Sequence, residues 1–534
     1  MEYLRCRRFC TTGTDDPVSG DYGVASVQCS TLNGQVPVSD TINNIEKASP
    51  TLTDFGKIII ISVAFLGWFF GGMHMAITSV AMGSAAESLL IQTGVAVTTK
   101  DDIDRAKHIL AEFDNDRDGL LNKDEAEQFS GALGRFVFKD LSEPELVLWA
   151  ARNRLEAVGS KWYGFYVGAF LFGAALGGLV FGRIGDRYGR VKGMAASVLC
   201  YSVMSLAGYF VQTPEQLWIV RFVVCMGVGG VWPNGVSLMS EAWEGVSRPL
   251  LAGVIGTAAN VGIFLTNVVA RNIDITVESW RWVMLMGAGP IVLGLIVLAI
   301  VPESPRWLAE QRREREDRSE SADATRSPTP VLTWEVFKTP LLGVTLVGIL
   351  LATVPLLGGW GSANWAIKWA DQVGQETNNP SLKADLGIAR SLPSIVGSFL
   401  GGLIAISLGR RAAYFITSLI ALGCAQYLFW FLTPDQTAFL VWFGVLGFFS
   451  GVFFGWLPLF LPELFVTRVR STGAGVCFNF GRILTAVTVF ATAMLINYFE
   501  NDYSVIGRIT SLVFLLGAIG ICLLPGGVDG EIKD

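Results

Sequence analysis

The chain has 534 residues, of which 51% are hydrophobic and 16% charged, with 60 Gly and a mean hydropathy of +0.47. This balance excludes an ordinary soluble domain and points to an integral membrane protein. The net charge of −6 also excludes a nucleic-acid partner, because the cations are spread over short loops and form no groove-sized patch.

Residues 1–56 are polar and hold no apolar run long enough for a signal-peptide core, so they read as a disordered cytoplasmic tail. Cys6, Cys10 and Cys29 fall in this tail, while Cys200, Cys225, Cys424, Cys477 and Cys522 lie in apolar runs, where a thiol behaves as a small hydrophobe. No disulfide framework follows. Residues 57–83, containing His74, form the first stretch long enough to cross a hydrocarbon core of about 30 Å.

Residues 84–159 are polar and charged, and read as a small helical insert. Within it, Asp114, Asp116, Asp118, Gly119, Leu120, Asn122 and Glu125 fit the EF-hand pattern D-x-D-x-D-G-x5-E. The spacing has a chemical reason. Carboxylates at loop positions 1, 3 and 5, the Leu120 carbonyl at 7, Asn122 at 9 and a bidentate Glu125 at 12 supply the hard oxygens that one Ca2+ prefers, and Gly119 permits the sharp turn. Residues 103–113 and 124–133 read as the flanking helices. The loop has no sister of the same pattern, so Leu121 needs another partner, for which Leu146, Leu148, Trp149 and Leu155 are the candidates.

The second span, 162–182, carries two small-x-x-x-small pairs, Gly164/Gly168 and Gly173/Gly177, which let helix backbones approach closely. The loop Gly182-Arg-Ile-Gly-Asp-Arg-Tyr-Gly-Arg-Val-Lys192 follows and packs four cations between two apolar runs, which marks a cytoplasmic surface. Further spans are predicted at 193–211, 217–240, 248–271 and 282–301, so that residues 160–302 hold spans two to six. Residues 303–339 form a charged, Ser-rich connector, residues 340–525 hold spans seven to twelve, and 526–534 are a short tail. Pro355 and Gly358-Gly-Trp-Gly361 are expected to break the seventh span, 341–365, in its outer half. The remaining spans are expected at 388–407, 412–432, 439–461, 471–496 and 505–525.

The two halves repeat. Gly177-Gly-Leu179 matches Gly401-Gly-Leu403, Gly189-Arg190 matches Gly409-Arg410, and Glu241 with Arg248 matches Glu463 with Arg470, at nearly constant offset. Two bundles of six helices are therefore expected, with both termini cytoplasmic and the insert on the other side.

Several of these segments carry a family resemblance. The loop from Gly182, of the form G-x-x-x-D-R-x-G-R, resembles the signature between the second and third helices of the major facilitator superfamily. Pro302-Glu-Ser-Pro-Arg-Trp-Leu308 is similar to the run after the sixth helix of its sugar-porter-like members, and Arg221-Phe222 with its glycines to their fourth-helix motif. Pro462-Glu-Leu-Phe-Val-Thr-Arg-Val-Arg470 resembles a segment common in sugar, sialate and aromatic-acid proton symporters. The resemblance implies a cytoplasmic gating network of Gly182, Asp186, Arg187, Gly189, Arg190, Glu241, Arg248, Glu303, Arg306, Glu463 and Arg470. The second basic loop lacks a counterpart of Asp186.

Ionisable residues inside spans are costly and mark pathways. His74, Arg221 and Arg482 are the clear cases here, and Arg482 lies about 16 Å into the eleventh span at 1.5 Å per residue. With Asn234, Trp360, Asn364, Trp456 and Asn479 they make up the candidate substrate and coupling site, and the cations suit an anionic solute. His74 is the proton-carrier candidate, since its reference pKa is near neutral.

The sequence thus predicts an all-α membrane protein of twelve helices in two six-helix bundles with a small EF-hand insert. It reads as a multi-pass cell-membrane protein, a monomer in the lipid bilayer, with no enzymatic site. Its expected activity is secondary active transport of a small organic solute by alternating access, coupled to H+ and modulated by Ca2+. The solute is an organic anion, a sialic-acid-like sugar acid or a sugar. The alternatives are a facilitative uniporter and a calcium-responsive receptor on a transporter scaffold.

Overall fold

The computed structural model describes residues 52–524 apart from 96–97, 130–139, 244–247, 310, 313–335, 466–469, 495–497 and 499–501. The predicted tails at 1–56 and 526–534 therefore lie outside the described residues except for 52–56, and so does most of the connector.

Twelve helices among the described residues are long and apolar enough to cross a membrane. In order they are Asp54–Gln92, Glu143–Tyr188, Arg190–Gly208, Pro214–Met239, Gly253–Asn272, Trp282–Ile300, Leu341–Glu376, Leu382–Leu408, Arg410–Phe431, Thr437–Pro458, Gly473–Met494 and Tyr503–Cys522. The chain is an all-α, multi-pass membrane protein. Local chemistry sets many of the helix ends. Thr53 accepts the Gly56 amide and caps the first span, and Thr213 caps the fourth with Pro214 in its first turn, where no amide partner is needed.

The repeat is visible in the backbone. Gly189 (φ +118°) ends the second span and starts the third, and Gly409 (φ +85°) does the same between the eighth and ninth. Both positions need the left-handed conformations that glycine adopts without strain. At Gly189 a side chain would also strike Glu303, with a Cβ 2.1 Å from its Oε2.

The glycine pairs of the second span divide their work. A Cβ at Gly177 would stand 1.9 Å from Met226 O of the fourth span, so Gly173 and Gly177 let these helices touch within the first half. Gly164 and Gly168 instead face Ala493 and Phe490 of the eleventh span, in the second half. The halves also meet where the fifth span packs on the eighth, and the first on the seventh.

Three boundaries differ from the sequence reading. The first span continues from Gly83 to Gln92, because Ser84–Leu90 keep an apolar face that is buried. The second begins at Glu143, where Ser142 and Glu145 form a capping box, and runs unbroken to Tyr188. The insert proper is thus shorter than 84–159, and its last helix is also the start of the second span. The seventh span does not break. Pro355 lies inside Leu341–Leu357, and a π-helical turn, Gly358–Ser362, hands on directly to Ala363–Glu376. One extra residue in the turn absorbs the lost regularity while the backbone hydrogen bonds continue, as the Ala363 amide bonded to Gly358 O shows.

Candidate functional site

The residues that the resemblance assigned to gating cluster on the Asp186 side. Arg190 bonds Asp186 and stands 3.6 Å from Glu241, which accepts the Ser304 hydroxyl. The Val191 amide donates to Glu303 (3.2 Å), and the Trp307 indole donates to Asp186 O (2.8 Å). Arg187 and Arg306 are exposed, and Gly182 has open space around it. In the second half Arg410, missing from the sequence-derived set, grips Glu463 through two bonds of 3.2 and 3.3 Å. Arg190–Glu241 and Arg410–Glu463 each stay within one half. The side chains of Arg248 and Arg470 lie outside what the structure describes.

The predicted substrate residues fall into two groups. His74 is fully buried, packs edge-on against Tyr201 with centroids 5.0 Å apart and adjoins Gly287, so it faces the third and sixth spans of its own half. Neither ring nitrogen has a partner. Arg221 is equally buried and donates to His74 O (3.1 Å) and the Thr78 hydroxyl (2.6 Å), tying the fourth span to the first. Asn234 donates to Phe181 O and Gly230 O and fills the space left by Gly185 and Gly193. Trp456 donates to Arg410 O and packs on Tyr414 and Phe460. These four are interior ties of single halves. The Trp456 ring is spent on its own bundle, and only 1% of it is exposed.

The other four lie where the halves meet. Trp360, in the π-turn, stacks on Phe170 of the second span with centroids 4.2 Å apart. Asn364 accepts the Ser79 hydroxyl of the first span (2.6 Å) and donates to Gly359 O (3.3 Å). Arg482 donates to Ala174 O of the second span (3.3 Å) and to Asn479 (3.4 Å), with its guanidinium 4.5 Å over the Phe478 ring.

A charged cluster on the insert side escaped the sequence reading. Lys368, 3% exposed, lies 3.3 Å from Glu87 of the first span and 3.4 Å from Asp371, while Lys383 binds Asp371 at 2.8 Å and Ile275 O at 3.0 Å. Arg271 bonds Asp385 across the halves. Arg390 of the eighth span stands half-buried beside Gly359. The available signal was the apolar face continuing from Gly83 to Gln92 and from Trp365 to Gly374, which carries Glu87, Lys368 and Asp371 into buried helix.

The segment that carries the D-x-D-x-D-G-x5-E pattern is a helix, a loop and a second helix. The entering helix is Lys100–Phe113 and the exiting one Lys123–Phe129; residues 130–133, expected to extend the latter, lie outside the described residues. Asp114 accepts the Gly119 amide (2.9 Å), Asn122 accepts those of Asp124 and Glu125, and Glu125 accepts those of Asn115 (2.7 Å) and Asn122 (3.0 Å). Carboxylate oxygens of Asp114, Asp116 and Asp118 lie within 4.8 Å of one another. The second Asp114 oxygen is buried without a partner. Asp116 accepts the Asp118 amide, which lowers its pKa, but lost hydration and the crowding carboxylates outweigh this and raise it. Converging oxygens that repel one another fit a cation. Leu121 pairs with Leu141 in a two-residue antiparallel ladder and sits in a small core with Ala106, Ile109, Ala126 and Leu146, bordered by Trp149. Leu148 is 64% exposed, so it is no part of this core, because it projects from the opposite side of its helix.

The profile of the "Sugar (and other) transporter" family matches residues 119–335. The chain is 24% identical over 326 residues to the cis,cis-muconate transport protein of Acinetobacter baylyi, covering 60% of this chain and 75% of that one. It is 27% identical over 362 residues to the probable 4-methylmuconolactone transporter of Cupriavidus pinatubonensis, covering 66% and 78%. The crystal structure of a D-xylose-proton symporter shares the fold, with a TM-score of 0.54 and 17% identity over 85% of this chain and 97% of that one. The profile match and these relatives point to a membrane transporter and not to an enzyme, and the fold is the one that the symporter shares.

Proposed function

We propose that the chain is a secondary transporter that moves a small organic anion, a carboxylate in the first instance, by alternating access. One observation carries this reading: Arg221, Arg390 and Arg482 lie within spans, and none is paired with a carboxylate among the described residues. Uncompensated cations at membrane depth favour an anionic guest. Two relatives named for cis,cis-muconate and 4-methylmuconolactone transport support the same class. Proton coupling remains part of the proposal, but His74 is a poor carrier, fully buried in the first half with neither ring nitrogen bonded; the carboxylates of the insert-side cluster are better placed. The test is uptake into proteoliposomes of cis,cis-muconate against D-xylose, with and without an imposed pH gradient. Uptake of muconate that the gradient accelerates supports both parts. Uptake of xylose alone removes the anion.

The insert is proposed to hold one Ca2+ through Asp114, Asp116, Asp118, the Leu120 carbonyl, Asn122 and Glu125, on the side away from the cytoplasm. Calcium there would relieve the repulsion among the loop carboxylates. An unpaired hand facing extracellular calcium is expected to bind weakly, at roughly 0.1 to 1 mM. Calorimetry of the full chain should show calcium-dependent heat that Glu125→Gln abolishes. Equal heat in both would remove the site.

A further inference from the structure

We propose that Arg390 is the group that reads the carboxylate of the solute, held over the π-turn of the seventh span, and that Arg482 is a structural cation. The assignment rests on the organic-anion reading and names its recognition site. Arg390 lies eight residues after Leu382 in the eighth span, about 12 Å along the helix at 1.5 Å per residue. A Cβ on Gly359 would stand 3.2 Å from its Nη2, so the guanidinium rests directly against the π-turn. Among the described residues no carboxylate, carbonyl or hydroxyl accepts a hydrogen bond from it. It is half-buried, and none of its nitrogens is sealed from water. Lys368 and Lys383 are neutralised by Glu87 and Asp371, whereas Arg390 keeps its whole donor fork available.

The surroundings suit a carboxylate attached to a flat or apolar body. Tyr163 of the second span donates its hydroxyl to Asn364 O (3.4 Å), just beyond the π-turn. The same π-turn holds Trp360, next in sequence to Gly359 and stacked on Phe170 of the second span, so the turn that meets the cation also carries aromatic surface shared by both halves. One-turn π-bulges recur at functional sites because they re-aim side chains within an otherwise regular helix. Here the turn brings Gly359, which has no side chain to block approach, against the guanidinium. Arg482 differs on each count: it is 7% exposed, it donates to Ala174 O and Asn479, and its flat face is covered by Phe478. Both bonds start from Nη1, so they tie the eleventh span to the second and, with Phe478, fix the guanidinium in place.

The test is a thermal-shift titration of the purified full chain with benzoate and cis,cis-muconate, using uncharged benzamide as control. The carboxylates should stabilise the wild type and benzamide should not. Arg390→Gln should weaken carboxylate affinity by about 30-fold or more, and Arg390→Lys by about tenfold, because a point charge cannot replace a fork. Arg482→Gln should lower the melting temperature without ligand and leave carboxylate affinity within about threefold. Wild-type affinity in Arg390→Gln overturns the assignment, as does its loss in Arg482→Gln alone. Where Arg390→Gln elutes as aggregate, Arg390→Lys decides, and unchanged affinity in it overturns the assignment. A wild type stabilised by neutral D-xylose and by neither carboxylate retires the anion reading itself, and this assignment with it.

Discussion

The two ends of the bundle are held differently. On the insert side, Lys368 meets Glu87 and Arg271 meets Asp385 across the halves, and the Ser160 and Tyr503 hydroxyls share a bond of 2.6 Å between the second span and the twelfth. On the Asp186 side, Arg190–Glu241 and Arg410–Glu463 brace each half internally. Charge thus locks the halves together at one end and stiffens each half at the other. An alternating-access cycle would have to break the first set and could carry the second through unchanged. Because Lys368 and Asp371 are nearly dry, the lock is also the place where a lost partner costs most.

Removing Lys368 is therefore expected to have the largest effect. Lys368→Met strands Glu87, whose side chain is 14% exposed, and leaves Asp371 with Lys383 alone, and should destabilise the protein by about 3 to 5 kcal/mol. Thermal denaturation measures the loss. In the same variant a Cys placed at Ser79, which bonds Asn364 across the halves, should react at least about tenfold faster with a polar thiol reagent added from the insert side, since 1.4 kcal/mol is a factor of ten. Unchanged labelling would mean that the pair is not what holds this end shut.

Arg410→Gln breaks the matching pair at the other end and should do less. The side chains are 17% and 23% exposed, so water partly replaces what is lost, and a fall of about 1 to 2 kcal/mol is expected. Labelling at position 79 should stay at the wild-type rate. A tenfold rise would show that the two ends communicate through this pair and would erase the distinction between brace and lock.

Twelve apolar runs, two internally similar halves and the calcium-loop pattern were all legible in the chain, because each depends on local composition or fixed spacing. The insert-side lock was not. Glu87, Lys368 and Lys383 sit where hydropathy falls, and a falling profile reads as the end of a span although the helix and its burial continue. Which partner each buried polar residue takes was equally hidden: His74 and Thr78 lie one turn apart in the first span, and only tertiary packing aims the histidine at Tyr201 and the threonine at Arg221. Trp360 and Trp456 look alike in sequence, yet one spans the halves and the other does not. The break expected at Pro355 failed for a different reason. A π-turn can absorb the irregularity of Gly358–Ser362 inside a continuous helix, and composition alone does not separate the two outcomes.

The smallest effect is expected in the insert, where a third kind of pairing joins soluble and membrane parts. Arg154, on the helix that becomes the second span, makes two bonds to Asp102 (3.1 and 3.0 Å) and a third to Val95 O (2.8 Å), just beyond the first span. Asp102 also caps the entering helix through Thr99. The Arg154 guanidinium above all, then the Thr99 amide and hydroxyl, hold the Asp102 carboxyl at about 2, below its ordinary value of 3.8. A depressed carboxyl stabilises the folded form above its unfolded pKa and loses that contribution as pH falls toward the folded value. The clamp should therefore be intact above about pH 4 and gone near pH 2, with an upper limit of about 2 kcal/mol. Limited pepsin digestion of the calcium-free chain, scored as the ratio of cleavage rates in Arg154→Gln and wild type, removes the protease's own pH dependence. The ratio should be about 30 near pH 4 and fall toward one near pH 2. A ratio that does not change with pH would show that Arg154 holds the insert by packing its stem and not by its charge on Asp102.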